Sequence, residues 1–581
     1  MKLPRLALIA FLLSACVFLH AQTEFLRIVA TSDVHGNYLH YDYLKGREGN
    51  GGLSRIAAFV REQRRTYSAS RIILLDGGDI LQGRPDAYYY NFVDTESEHL
   101  CASALNFIGY DAGVPGNHDI ETGHDVYDRW TLACHHPVVC ANVIDRRYGT
   151  PYWQPYTIIN RGGIRIAVIG LLTPTVPKWL PEQLWSGLYF DDMLATAQRC
   201  VAEIQEKNLA DAIVGVFHSG AGRADDTGKN IENASLQVAA NVAGFNLIIS
   251  GHDHRAAVYH VKNPTGDDVL VLNPGAGGSN VAVADIIFKR KRGSWLVEQV
   301  SGELAEVSQW PADEAFNSHF HTQHEALRTF ADKPLAYLDT LISSRDAFFG
   351  PSAFVDLIHR LQLSLTDADI SFAAPLSFDV TLQKDTLRVR HLFQLYRYEN
   401  RLYTLRLTGR EIRNYLEKSY DGWVRTMQSP SDTMLRFQPH PATFAEGWQR
   451  LATPSYNFDS AAGLCYSVDL RASLGTRLHI DSLSNGRTFS DDSTYTVAVN
   501  SYRANGGGDL LTDGAGIPKD KLPGRICKTT QRDVRYYLLQ MFEQQGNIRI
   551  FHPTPEQNWC FVPQTWAEQA RKRETSLLFG Q

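Results

Sequence analysis

The chain has 581 residues, more than a single hydrophobic core organises, so two or more domains are expected. At 44% hydrophobic and 21% charged, with no low-complexity tract, the composition excludes a fibrous or disordered protein. A formal net charge of -6 argues against a nucleic-acid polymer as partner. It leaves room for a small anion, because a bound metal pair reverses the local sign.

Residues 1–21 read as an export leader. Lys2 and Arg5 precede an apolar run over 6–19, and His20-Ala21-Gln22 offers a cleavage point. Leu13-Ser14-Ala15-Cys16 offers a second route, a lipoprotein signal that would leave Cys16 lipidated and anchored in a membrane. Val17-Phe18-Leu19 suits that route less well. Either route places the protein in the periplasm or cell envelope. No later run reaches ~18 uncharged apolar residues, so no further membrane span is expected. Seven of the eight cysteines lie beyond Leu19 and none forms a C-x-x-C pair, which disfavours a thiolate metal site. Export permits disulfides.

Residues 22–305 alternate short apolar runs with amphipathic stretches. Strands are expected at 26–31, 72–75, 112–114, 164–172, 213–217 and 247–250, and helices at 53–65, 100–108 and 193–207. The alternation implies a layered α/β domain. A polar connecting helix follows over 306–333, then a mixed α+β domain over 334–553 and a tail over 554–581 expected at an edge or surface.

The ends of the predicted strands carry the chemistry, as strand ends do in open α/β sheets. They read Asp33-Val34-His35, Gly78-Asp79, Gly116-Asn117-His118-Asp119, His218, and Gly251-His252-Asp253-His254. An Asp-x-His pair past a strand aims two side chains at one ion, and a carboxylate such as Asp79 bridges two. Nitrogen and oxygen donors without sulfur suit Zn, Mn or Fe. Any one of these motifs alone is common in loops; five in this order, each behind an apolar strand, are not.

The set resembles the calcineurin-like metallophosphoesterases over residues 26 to about 290. The resemblance implies a four-layer α/β sandwich holding two divalent ions, one on Asp33, His35, Asp79 and His254, the other on Asp79, Asn117, His218 and His252. It implies His118 as transition-state stabiliser or proton donor. In similar enzymes an Asp stands three residues after that histidine; here the position is Glu121, so the orienting carboxylate is either Glu121 or Asp119. Some 5′-nucleotidases of the group carry Gln where this chain has His254, which leans toward the cyclic-nucleotide branch.

In the second half, Tyr396-Arg397-Tyr398-Glu399-Asn400 precedes a strand expected over 401–407. A second run, 500–509 with three successive glycines, follows another expected over 495–499. Together they resemble the C-terminal domain of periplasmic 5′-nucleotidases and 2′,3′-cyclic-nucleotide 2′-phosphodiesterase/3′-nucleotidases. That implies Tyr398 and Tyr502 as a nucleobase sandwich, with Asn400 and Asp509 as polar readers. Tyr456-Asn457-Phe458-Asp459 also looks like the cyclic branch. The arginine-bearing loop of the 5′-nucleotidases is replaced by Ser371-Phe372-Ala373-Ala374-Pro375-Leu376-Ser377-Phe378, without arginine. The expected activity is hydrolysis of 2′,3′-cyclic nucleotides and 3′-nucleotides to nucleoside and phosphate. The alternatives are a 5′-nucleotidase, a hydrolase of non-nucleotide phosphoesters or sulfur esters, and a non-catalytic envelope binding protein.

Overall fold

The computed structural model describes residues 23–444, 446–543 and 549–580; the leader expected over 1–21 lies outside them. Two sheets face each other in the first half. One orders the strands Ser294–Glu306, Asn280–Lys291, Thr23–Thr31, Ile72–Asp76 and Ala112–Gly113. The other runs Ala257–Lys262, Asp268–Asn273, Phe245–Ser250, Ala212–His218, Ile164–Leu172 and Tyr156–Arg161.

The central strands are parallel: Val29 sits opposite Leu74, and Gly215 opposite both Ile169 and Ile248. Buried on both faces, such strands need continuous apolar runs, and Ile72–Asp76 and Ala212–His218 are buried throughout. The inner faces share one core with helices Leu53–Tyr67 and Leu100–Ile108; helices Met193–Glu206 and Ser235–Asn241 cover the second sheet's outer face. The result is the four-layer sandwich.

Residues 306–333 differ from the single helix expected. Two helices, Glu314–His319 and His321–Asp332, meet at Phe320, whose φ of -97° and ψ of 20° break the spiral. Phe316, Phe320, Leu327 and Ala331 drop into the first core, so the segment is part of that domain's wall.

The second domain centres on a mixed sheet ordered Ser460–Ala462, Ile370–Ala373, Thr494–Asn500, Arg401–Thr408 and Ile526–Asp533. The tail, expected at an edge or surface, supplies an edge strand and a helix packed into the domain. Trp559–Val562 pairs with Leu464–Asp469, and helix Gln564–Phe579 buries Ala567, Ala570 and Leu578 in the domain's core. Glu574 accepts the Met434 and Leu435 N–H groups at 2.7 and 2.9 Å. The alternating Trp559 and Phe561 and the helically spaced apolar residues after them have a buried face to fill, so the domain extends past 553.

Among the described residues no helix is long and apolar enough to cross a membrane, and the seven cysteines are free thiols. The domains are tied where the site lies. Gln394 Nε2 donates to the Leu44 carbonyl at 2.6 Å and Tyr88 Oη to Asp533 at 3.2 Å. Arg535 stacks between Tyr88 of the first domain and Phe393 of the second.

Candidate metal centre

Every strand end expected to carry a ligand converges on one place between the sheets. The loops are laced to one another by backbone: Asp33 N–H to the Gly78 carbonyl at 2.8 Å, His35 N–H to the Asp79 carbonyl at 2.9 Å, and Gly277 N–H to the Asp33 carbonyl at 2.7 Å. Asp33, His35, Asp79, His252 and His254 all hold left-handed φ, between 51° and 72°. Such backbone costs of order 1–3 kcal/mol per residue and is kept where the surroundings fix it, typically at functional sites. Close approach also dictates two glycines. A Cβ at Gly116 would lie 2.1 Å from Asp79 Oδ1, and one at Gly251 would lie 2.0 Å from Ser32 Oγ.

Two donor groups result, Asp33 with His35, Asp79 and His254, and Asp79 with His218 and His252. In the first, His35 and His254 bring their Nε2 atoms within 2.9 Å, and His254 Nε2 lies 3.3 Å from Asp33 Oδ1. His35 Nδ1 donates to the Gln82 carbonyl at 3.2 Å, which leaves its Nε2 a bare lone pair. Burial, and then the facing His254, push the His35 imidazole down to about 3, so it is neutral. Burial opposes ionisation of Asp33, but His254 and His218 outweigh it and hold the carboxyl at about 2.

In the second group, His218 Nδ1 donates to the Gly77 carbonyl at 2.8 Å and its Nε2 faces Asp79 Oδ2 and Asn117 Oδ1, both at 3.1 Å. Asp79 Oδ2 is buried without a hydrogen-bond donor. Acceptors that converge this way need a positive charge between them. With the protein's own charges a proton fills that place: burial opposes it, yet Asp79 raises His218 to about 10. A divalent cation satisfies the same atoms and displaces the proton. The donor set therefore fits divalent ions.

Two residues the sequence did not single out frame His252. Glu232 Oε1 accepts from its Nε2 at 3.1 Å, and Trp179 stacks on the ring with centroids 5.5 Å apart. With Nε2 so engaged, Nδ1 is the nitrogen left to serve as a ligand, the carboxylate–histidine–metal arrangement that fixes ring orientation. Neither residue lies in a motif, so only the folded chain reveals them. Glu232→Gln is expected to weaken divalent-metal affinity by ~10–100-fold, read by metal titration of the apoprotein; unchanged affinity would exclude this role for Glu232.

His118 stands beside the two groups. Its Nδ1 is 2.5 Å from Glu121 Oε2, and its N–H donates to Asp79 Oδ1 at 2.7 Å. Burial lowers its basicity, but Asp79 and Glu121 outweigh that and raise it to about 9, an imidazolium at neutral pH. Of the two carboxylates left open by the sequence, Glu121 touches the imidazole. Asp119 does not: its oxygens take the N–H groups of Asp79, Ile80, Leu81 and Gly116 at 2.7–2.9 Å. It braces the Asp79 loop, and its assignment as a catalytic group is corrected.

The second domain supplies the opposite wall. Tyr398 stacks on His118, interplanar angle 15° and centroids 6.3 Å apart. Tyr502 borders a cleft of about 700 Å³ shared with Trp179, Glu232 and the exposed Asp509. Tyr456 stands edge-on to Tyr502 at 6.3 Å. Arg503, in a bidentate pair with Asp459 at 2.9 and 3.0 Å, fixes the turn that carries Tyr502. Asn400 departs from the expectation. It is buried, with Nδ2 on the Tyr396 hydroxyl at 3.5 Å and Oδ1 accepting from Ser501 at 3.2 Å. It joins the Tyr398 loop to the Tyr502 turn instead of reaching the cleft.

A buried nitrogen and oxygen donor set at the strand ends of a two-sheet sandwich, with an imidazolium beside it and an aromatic wall above, defines a metal-dependent phosphoester hydrolase. Residues 26–256 match the family described as calcineurin-like phosphoesterase, and residues 331–513 the 5′-nucleotidase C-terminal domain. The chain belongs to the metallophosphoesterases that combine these two domains. It is 27% identical to a 2′,3′-cyclic-nucleotide 2′-phosphodiesterase/3′-nucleotidase of Salmonella typhimurium, over 96% of this chain and 91% of that protein. It is 24% identical to the trifunctional nucleotide phosphoesterase protein YfkN of Bacillus subtilis, over 93% of this chain but only 39% of that protein's length. The crystal structure of a 5′-nucleotidase precursor from Thermus thermophilus shares the fold, with TM-score 0.63 and 21% identity over 93% of this chain and all of that one.

Proposed function

We propose that this enzyme opens 2′,3′-cyclic nucleotides and then hydrolyses the 3′-nucleotides to nucleoside and phosphate. The observation that carries this reading is the stack of Tyr398 on His118, which sets an aromatic platform against the proton donor. A base held on Tyr398 and Tyr502 would leave its ribose oxygens within reach of the imidazolium. Near full-length similarity to the Salmonella enzyme supports the cyclic branch, as does His254.

Asp33, His35, Asp79 and His254 would hold one ion, and Asp79, Asn117, His218 and His252 a second; Zn, Mn or Fe suit these donors. Bound divalent ions supply Lewis-acid activation of water and of the phosphoryl group. The chain's own groups do the rest. His118 gives its Nε2 proton to the departing ribose oxygen as the P–O bond breaks, first at the 2′ position and then at the 3′. Glu121 holds Nδ1 and steadies the imidazolium. The leader over 1–21 would carry the enzyme out of the cytoplasm, with Cys16 as the alternative lipid anchor. There it would feed nucleoside uptake.

Phosphate release from 5′-, 3′- and 2′,3′-cyclic nucleotides tests the reading. Turnover of the last two is expected; turnover of 5′-nucleotides alone would favour the 5′-nucleotidase alternative. The platform has its own test. Tyr398→Ala or Tyr502→Ala should raise KM for nucleotides by an amount equivalent to ~1–3 kcal/mol while sparing a small aryl phosphate. Equal losses on both substrates with a lowered melting point would make these tyrosines packing residues.

A further inference from the structure

Three glycines, Gly506, Gly507 and Gly508, stand before Asp509 at the cleft and have no part in the proposed reaction. Gly506 and Gly508 are left-handed, φ 91° and 71°, on either side of a helical Gly507. They fold the loop tightly on itself, with the Gly506 N–H on the Arg503 carbonyl at 2.9 Å and the Asp509 N–H on the Gly506 carbonyl at 3.2 Å. This loop makes one wall of the cleft of about 700 Å³ between the domains.

Two lysines line the same cleft, Lys178 from the first domain and Lys519 from the second. Neither is ion-paired among the described residues. The crowded wall and then the facing Lys178 lower the Lys519 ammonium below its ordinary value, and Asp509 opposes this more weakly. Like charges from separate domains thus meet with no carboxylate in an ion pair between them. The cleft's own carboxylates are Glu232, engaged with His252, and the exposed Asp509 and Asp513. Trp179 joins this end of the cleft to the metal centre through its stack on His252.

We infer that the Lys178–Lys519 end of the cleft binds a second, non-scissile phosphate, so that the enzyme takes nucleotides bearing one phosphate besides the one it removes. A nucleoside 3′,5′-bisphosphate is the simplest such substrate. This rests on the nucleotide reading above. A phosphate between the ammoniums would relieve their repulsion and take charge-assisted hydrogen bonds from both, and such contacts weaken as salt rises.

The test compares a nucleoside 3′,5′-bisphosphate with the matching 3′-monophosphate on the metal-loaded enzyme and on Lys178→Gln, Lys519→Gln and the double variant. Both lysines are exposed, so the variants should fold, which melting curves check. The wild type is expected to favour the bisphosphate about tenfold in kcat/KM through a lower KM, with each substitution removing several-fold of that ratio and high salt erasing it. Equal kcat/KM for the two substrates, or a preference that survives the double substitution, would overturn the subsite alone. Turnover of an aryl phosphate but of neither nucleotide would overturn the nucleotide reading itself.

Discussion

Asp79→Ala should abolish phosphoester hydrolysis and metal binding together. Asp79 is the carboxylate common to both donor groups, with Oδ2 buried and unprotonated toward His218. Its Oδ1 holds the His118 N–H at 2.7 Å, so the substitution also loosens the proton donor. The remaining donors cannot compensate, since removing a buried carboxylate leaves His218 and Asn117 converging on nothing. Metal analysis of the purified variant should find both positions depleted. Divalent metal should raise the melting temperature of the wild type, through binding to the folded state alone, and should not raise that of the variant. A variant that keeps a full complement of metal would show that the bridging assignment is wrong. Chelator treatment of the wild type is the matching control, and full turnover in a metal-free preparation would contradict metal dependence altogether.

Much of this centre is legible in the sequence because its ligands sit where buried parallel strands end. A run such as 72–75 must be apolar on both faces, so the acidic residues that follow it in Asp76-Gly77-Gly78-Asp79 stand out. The glycines mark close approach: position 116 admits no Cβ beside Asp79. What the sequence hides are contacts between segments far apart in the chain. Glu232 and Trp179 frame His252 without belonging to any motif, and their relation to it exists only after the 218–235 loop folds over the sheet end. Asp119 misleads for a similar reason. Beside a catalytic histidine it looks like chemistry, yet four backbone N–H groups already occupy it, and a linear reading cannot count such donors. Asn400 follows the same logic. The tail's edge position is legible but its pairing is not, since two alternating aromatics in Trp559–Val562 are too short a run to identify a strand without the partner Leu464–Asp469.

His118→Ala separates proton donation from metal binding. The imidazole contributes no atom to either donor group, so the variant should retain its metal. Its rate on nucleotides should nevertheless fall by ~10²–10³-fold, the usual loss for one electrostatic donor or general acid. The leaving group gives the decisive comparison. A ribose oxygen departs as a strongly basic alkoxide and needs a proton as the bond breaks, whereas 4-nitrophenolate leaves readily without one. If His118 donates that proton, the loss should be large for a 3′-nucleotide and small for 4-nitrophenyl phosphate. If it only stabilises charge on the phosphoryl oxygens, both substrates should suffer alike, because those oxygens are common to them. Glu121→Gln extends the argument. Glu121 is 2.5 Å from Nδ1 and helps hold the imidazole at about 9, so its neutral replacement should lower the basicity of His118 and give a smaller loss with the same dependence on leaving group. Loss of metal from His118→Ala would instead make this histidine a ligand, and the proton donor would have to be sought elsewhere in the cleft.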